Sequence, residues 1–391
     1  MSDAVRRRGA AAGGGSARIG LLRLTDSAPA IVASEFGFFA DEGLDVALSV
    51  EPSWANVADK LAYGALDAAV IVPPLAFAVS LGLRAPAEPL IIPYNFSLGG
   101  DTITLARGLA DELRDQARVV GYAAALAARL KASESEPTLA VVHDYSNHNL
   151  LLRYWLAAAS ALAGRDYTII VTPPARTVEA LEKGKIVGFC AGAPWGDLAE
   201  RAGVGASVAT TGDVWGNGPG KALAVRERWS EANPEALAGL LRALYRAARF
   251  CDAPANASYV ASLLSRRAWL AVDSHAILSS LPGTLGRNEQ RFHGSAATYP
   301  WRSHALWFLS QMARWGLIAK GLPLQAIAEQ VYRPDLYAVA LTATGALIPT
   351  SDRKREGGRS EDWSLPASPA PIPMGPDLFC DGAVFDPADV E

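Results

Sequence analysis

The chain has 391 residues, with 36 basic side chains against 40 acidic ones, a formal net charge of −4 and 50% apolar residues. This excludes a disordered or fibrous chain and leaves room for two or three domains. The charges are finely mixed with no basic block, which argues against direct nucleic-acid binding.

Residues 1–16 open with Arg6 to Arg8 and continue in Ala, Gly and Ser. They lack the apolar core of about 7–15 residues that an export signal needs, so a flexible tail and a cytoplasmic location are expected. A strand over 19–24 follows. Asp26 or Ser27 then caps a helix through about Phe38, with Pro29 in its first turn. Gly43 precedes a strand over 44–50, and Ser53 caps a helix over 54–63 that Gly64 stops. Residues 68–72 read as a buried strand, Pro74 opens a helix, and 90–94 is a strand again. The apolar run 68–83 is broken by Pro73-Pro74 and too short to span a bilayer, so no membrane insertion is expected. This rhythm predicts a parallel sheet with helices on both faces.

A strand-like run over 102–106 precedes a second series: strands at 138–142, 167–172, 186–190 and 206–210, with helices at 147–163, 177–183 and from Pro194. The run KALAV, 221–225, is extended and apolar. Residues 233–345 read as nearly all helical, and 351–391 are rich in Pro, Ser and Asp. Two α/β units joined by extended crossings near 102–106 and 221–226 predict two hinged lobes with a ligand cleft between them. The expected division is 17–101 plus 226–350 for the first lobe, 102–225 for the second, and 351–391 as a Pro-rich C-terminal extension.

Catalytic motifs are missing: the chain has no GxSxG, P-loop, HExxH or GxGxxG after a strand. Cys190, Cys251 and Cys380 form no disulfide framework or CxxC site, so neither a metal nor a cofactor is expected, in a reducing compartment. His148 sits in the first turn of a helix beyond a parallel strand, among unpaired N–H groups that favour an anion. Taken alone, it is more often a capping or solvent-facing residue. Lys221 ends the Gly-rich run WGNGPGK, which lets its tip enter a cleft closely, although a lone lysine is usually a surface residue. Trp54 at a helix start is either a core ring or a rigid ligand wall with an N–H donor. Gly192, in AGAPW after a strand, can offer a bare backbone N–H, whereas Trp195 reads as packing.

Five segments carry a resemblance in a fixed order: LTDSAPAIVASEFGFFADEGLDV, SWANVADKLAYGALDAAV, HDYSNHNLLLRYWLAAA, VGFCAGAPWGDLA and GKALAV. The chain resembles the nitrate- and bicarbonate-binding solute receptors of the NrtA and CmpA type, and especially the cytoplasmic nitrate/nitrite sensors of the NasS type. The resemblance covers about 17–350, and LFCDGAVFDP near the end is also family-like. It implies a two-lobed, periplasmic-binding-protein-like (type II) fold and no enzymatic activity. The implied ligand contacts are Trp54, His148, Gly192 and Lys221, with Asp101 near the position of the family's Gln. The bicarbonate receptors carry an acidic residue and a metal where Lys221 stands, so lysine implies nitrate or nitrite. A carboxylate at 101 would repel such an anion unless protonated, turned away or paired with a cation. The implied partner is an RNA-binding antiterminator of the NasT type, released when the anion binds. The alternative is the receptor of a nitrate ABC transporter. An enzyme like the thiamine-pyrimidine synthases fits poorly, because the chain has no cysteine cluster.

Overall fold

Two five-stranded sheets, each built around one inserted antiparallel strand, organise the molecule in a computed structural model that describes residues 15–83, 86–134, 136–284 and 286–390. The first sheet holds β1 (Ser16–Leu21), β2 (Asp45–Val50), β3 (Ala68–Ile71) and β4 (Leu90–Asn95). The second holds β5 (Asp101–Ala106), β6 (Thr138–Val141), β7 (Thr168–Val171), β8 (Gly188–Gly192) and β9 (Gly205–Thr210). The last strand, β10 (Ala222–Arg226), returns to the first sheet, whose order is β2-β1-β3-β10-β4; the second runs β7-β6-β8-β5-β9. Strand β1 is parallel to β2 and β3, and β6 is parallel to β7 and β8. Strand β10 lies antiparallel between β3 and β4, and β5 lies antiparallel between β8 and β9. Both inserted strands are buried on both faces, save the half-buried Ala106; β10 accordingly reads as an apolar run without alternation, whereas β5 buries Thr102 and Thr104 between its apolar residues.

The chain enters the second lobe through residues 96–100 and leaves it through 211–221. These crossings run side by side. Phe96 N donates to Lys221 O at 2.7 Å, Gly220 N to Ser97 O at 2.8 Å, and Gly99 N to Gly218 O at 3.0 Å. A Cβ at Gly220 would lie 2.4 Å from Ser97 Oγ and 2.9 Å from the backbone oxygen of Gly99, so this close approach favours glycine. The ladder therefore places Asp101, the first residue of β5, beside Lys221, the residue before β10.

Several expected boundaries change. The first fourteen residues of the expected tail lie outside the described residues, and Ser16 already belongs to β1. The first helix is two, Ala28–Glu35 and Phe38–Asp41, separated at Gly37, whose φ of 74° ends the first. A second lobe drawn as 102–225 misplaces Ala222 to Val225, because β10 pairs with β3 and β4. The stretch between Leu264 and Arg302 holds one short helix, Ser274–Leu278, among turns, so 233–345 is less helical than expected. The helix Arg107–Lys131, bent where Gly121 has φ 82°, was not foreseen.

The core forms two apolar clusters. One covers the outer face of the first sheet, where Ala28–Glu35 packs on Pro234–Asp252. The larger runs through both lobes, from Leu24 and Trp54 to Leu105, Val141 and Trp155. The C-terminal extension joins both. Leu365, Ile372 and Met374 are buried in the first-lobe cluster, and Phe379 stacks on Trp307 beside Trp215 and Tyr154. Trp215 Nε1 donates to Asp377 Oδ1 at 3.0 Å, and the Tyr154 hydroxyl donates to Asp381 Oδ1 at 2.9 Å. Among the described residues no helix is long and apolar enough to cross a membrane.

Candidate functional site

Four ionisable groups from four elements meet where the two crossings run together. Asp26 comes from the 3-10 turn Thr25–Ser27 after β1, Asp101 from the start of β5, His148 from the first turn of the helix Asn147–Ala158, and Lys221 from the segment leading into β10. Each is at most 2% exposed. Lys221 Nζ lies 2.9 Å from Asp26 Oδ2 and 2.8 Å from Asp101 Oδ1. Asn147 Nδ2 donates to Asp101 Oδ2 at 2.7 Å. His148 Nε2 is 3.1 Å from Asp101 Oδ1, an ion pair only if the ring is protonated and not aligned as a hydrogen bond.

Local sequence explains the placement. Ser146 caps the helix, its hydroxyl accepting from Asn149 N at 3.1 Å, so Asn147 and His148 project from the first turn toward Asp101. Gly192, at the end of β8, is the ladder partner of Asp101. A Cβ there would stand 3.2 Å from Asp101 Oδ1 and 3.5 Å from Asp26 Oδ2, so the bare glycine backbone borders the charge cluster. Thr25 N donates across the lobes to Ala193 O at 2.9 Å.

The resulting electrostatics differ from expectation. Lys221 is fully buried, which discards the surface reading, but it is not a lone positive charge: it stands between two carboxylates. Burial opposes its charge, yet Asp101 and Asp26 outweigh burial and raise its pKa. Burial also pushes Asp101 up, but His148 and Lys221 prevail and hold its carboxyl well below the usual carboxylate range. Asp101 is thus cation-paired, one of the three ways such a carboxylate can be tolerated. For Asp26 burial wins over Lys221, and its pKa is raised. Burial likewise lowers His148 against the pull of Asp101, which favours the neutral ring. One ammonium against two carboxylates leaves the cluster net negative when both acids are ionised.

Trp54 lies in the same apolar cluster as Leu24, whose Cδ2 would lie 3.3 Å from a Cβ at Gly192. The structure records no polar contact from Trp54 to the charge cluster. Among the described residues its buried indole N–H has no partner, and neither have Asp26 Oδ1, Thr25 Oγ1, Ser97 Oγ, Asn147 Oδ1 and His148 Nδ1. Buried polar atoms are normally paired, and such a concentration between two lobes is what a polar ligand would satisfy. Sequence reasoning missed Asn147 as a contributor and took Asp26 for a helix cap. In the structure Asp26 makes no cap bond and binds Lys221 instead. Its signal was its place in LTDSAPA, directly after a strand at the cleft end of the sheet.

Comparison with known proteins gives the site a context. Residues 10–265 match the model of the NMT1-like family. The nitrate/nitrite binding protein NrtA of Synechocystis sp. is 31% identical over 390 residues, covering 95% of this chain and 82% of that protein. The nitrate import ATP-binding protein NrtC of the same organism is 35% identical over 346 residues, and the match covers 84% of this chain but only 50% of that protein. The crystal structure of the periplasmic nitrate-binding protein NrtA from Synechocystis superposes with a TM-score of 0.84 at 29% identity, covering 96% of this chain and 97% of that one. That similarity extends the two-lobed, periplasmic-binding-protein-like architecture over nearly the whole molecule. An alkanesulfonate-binding protein from Xanthomonas axonopodis, at 16% identity and a TM-score of 0.56, shares the fold alone.

Proposed function

The chain belongs to the NMT1-like family, and from that premise we propose that it is a receptor for a small planar oxyanion of the nitrate or nitrite kind. The anion enters between the lobes at Lys221, with His148, Gly192 and Trp54 as further contacts, and the receptor serves an ABC-type import system. The observation that carries this reading is the wholly buried Lys221 ammonium at the lobe junction, beside the Gly192 backbone and among unpartnered polar atoms. The relatives support the transport role, since one is named for nitrate and nitrite binding and another for nitrate import. They favour it over the sensor reading, in which a cytoplasmic protein of this kind releases a NasT-type antiterminator. That reading rests on the resemblance of sequence motifs.

The chemistry is recognition rather than turnover. A planar anion can accept from the ammonium, a ring N–H and a backbone N–H, in a place from which water is largely excluded and where such bonds are strong. Closure of the lobes couples binding to shape, because Thr25 and Ala193 meet only when the lobes are together. Calorimetric titration with sodium nitrate, sodium nitrite and sodium sulfate tests the proposal. Saturable one-to-one binding of nitrate or nitrite, with sulfate silent, is expected. Binding of sulfate alone would overturn it. Fractionation of native cells separates the two roles: the receptor belongs outside the cytoplasmic membrane, the sensor inside it.

A further inference from the structure

We propose that the anion enters this site together with one proton, and that the Asp26 carboxylate carries it. This rests on the reading of the lobe junction as an oxyanion site.

The argument is one of charge in a confined place. The groups facing Asp26 are Lys221 before β10, Asp101 on β5 and His148 on the helix Asn147–Ala158. Cys190 on β8 lies close enough to feel Asp101 and Lys221, but burial keeps its thiol protonated. With His148 neutral, Lys221 already serves two carboxylates. A monovalent anion added to that set would bring a second uncompensated negative charge into a region with almost no exposed surface. The cost of an unpaired buried charge exceeds what hydrogen bonds to such an anion return. One proton cancels the added charge and returns the set to the single uncompensated negative charge it carries without the anion.

Asp26 is the group placed to take it. Asp101 has its oxygens occupied by Lys221 and Asn147, and His148 approaches as well. Asp26 has one oxygen on Lys221, while Oδ1 is buried without a partner. Protonation of Asp26 has two effects. It frees half of the Lys221 charge for the incoming anion, and it turns a repelling acceptor into an O–H donor. The direction in which burial moves the Asp26 carboxyl agrees with this. The proton comes from solvent and returns there when the anion leaves.

The test is titration of the full chain with sodium nitrate between about pH 6 and pH 8, with calorimetry repeated in two buffers of different ionisation enthalpy. The expected result is a Kd that rises about tenfold per pH unit, with one proton taken up per nitrate. Asp26→Asn, a permanent neutral mimic, is expected to bind nitrate with a flat pH profile and no proton uptake. If Asp26→Asn does not fold, Asp26→Ser and the wild-type proton count decide. Nitrate binding by wild type with a pH-independent Kd and no proton uptake would overturn the proposal and leave the receptor reading intact. A pH slope that survives in the folded Asn or Ser variant would overturn the assignment to Asp26. Binding of neither nitrate nor nitrite at any pH would remove the receptor reading itself.

Discussion

Lys221 is the residue on which the site turns, and its removal is the sharpest single change. Lys221→Met leaves Asp26 and Asp101 facing each other, buried and without their shared cation. Stripping one partner from a buried ion pair costs roughly 3–5 kcal/mol. Urea denaturation at neutral pH should show a loss of that order, well beyond that of an exposed lysine. Gly192→Val is expected to act on binding instead. Its side chain would enter the space beside Asp101 Oδ1 and Asp26 Oδ2, and nitrate affinity should fall at least about tenfold by titration. His148, Gly192 and Lys221 could be picked out as candidates from their helix-start and turn segments, but His148 and Lys221 taken alone read as capping and surface residues, and only the resemblance singled them out. Asp26 could not be, because its role depends on a lysine brought beside it only by the return of β10 to the first sheet. The charge state of Lys221 was illegible for the same reason.

At the scale of elements, the C-terminal extension ties the lobes behind the crossings. Phe379 is almost fully buried against Trp215, Trp307 and Tyr154. Phe379→Ala should cost roughly 3–5 kcal/mol, read as a lower denaturation midpoint with an unchanged slope. Composition showed that residues 351–391 are unlike the rest, but not where they lie, because short strands such as Trp363–Leu365 and Ile372–Met374 gain their register only from each other. The alternating α/β rhythm was legible in most of both lobes, but the parallel sheet it predicted is mixed, because β10 and β5 run antiparallel to their neighbours. The helix Arg107–Lys131 escaped because it carries Gly108 and Gly121 and buries only a narrow stripe of Ala and Leu, while Val119 and Val120 face solvent.

At the scale of the whole molecule, buried histidines set the acid response. His148, His293 and His304 all have lowered pKa values, burial being the first cause in each. Below about pH 6.5 the unfolded chain binds protons that the folded chain refuses, so stability falls as pH falls. Glu356 acts further down. Burial pushes it up, but Lys354 and His304 hold it at about 2, so its contribution is lost as pH falls from the ordinary glutamate range toward that value. Asp26, Asp197 and Asp377, raised by burial, oppose the trend in the carboxylate range. Thermal melts without added anion should therefore show a lower Tm at about pH 5.5 than at pH 7.5. The decisive experiment for the account is a calorimetric titration of wild type and Lys221→Met with sodium nitrate at about pH 6, with the variant's folding checked by circular dichroism. Saturable binding by wild type and none by the folded variant is the predicted result; equal binding by both, or none by wild type, would contradict it.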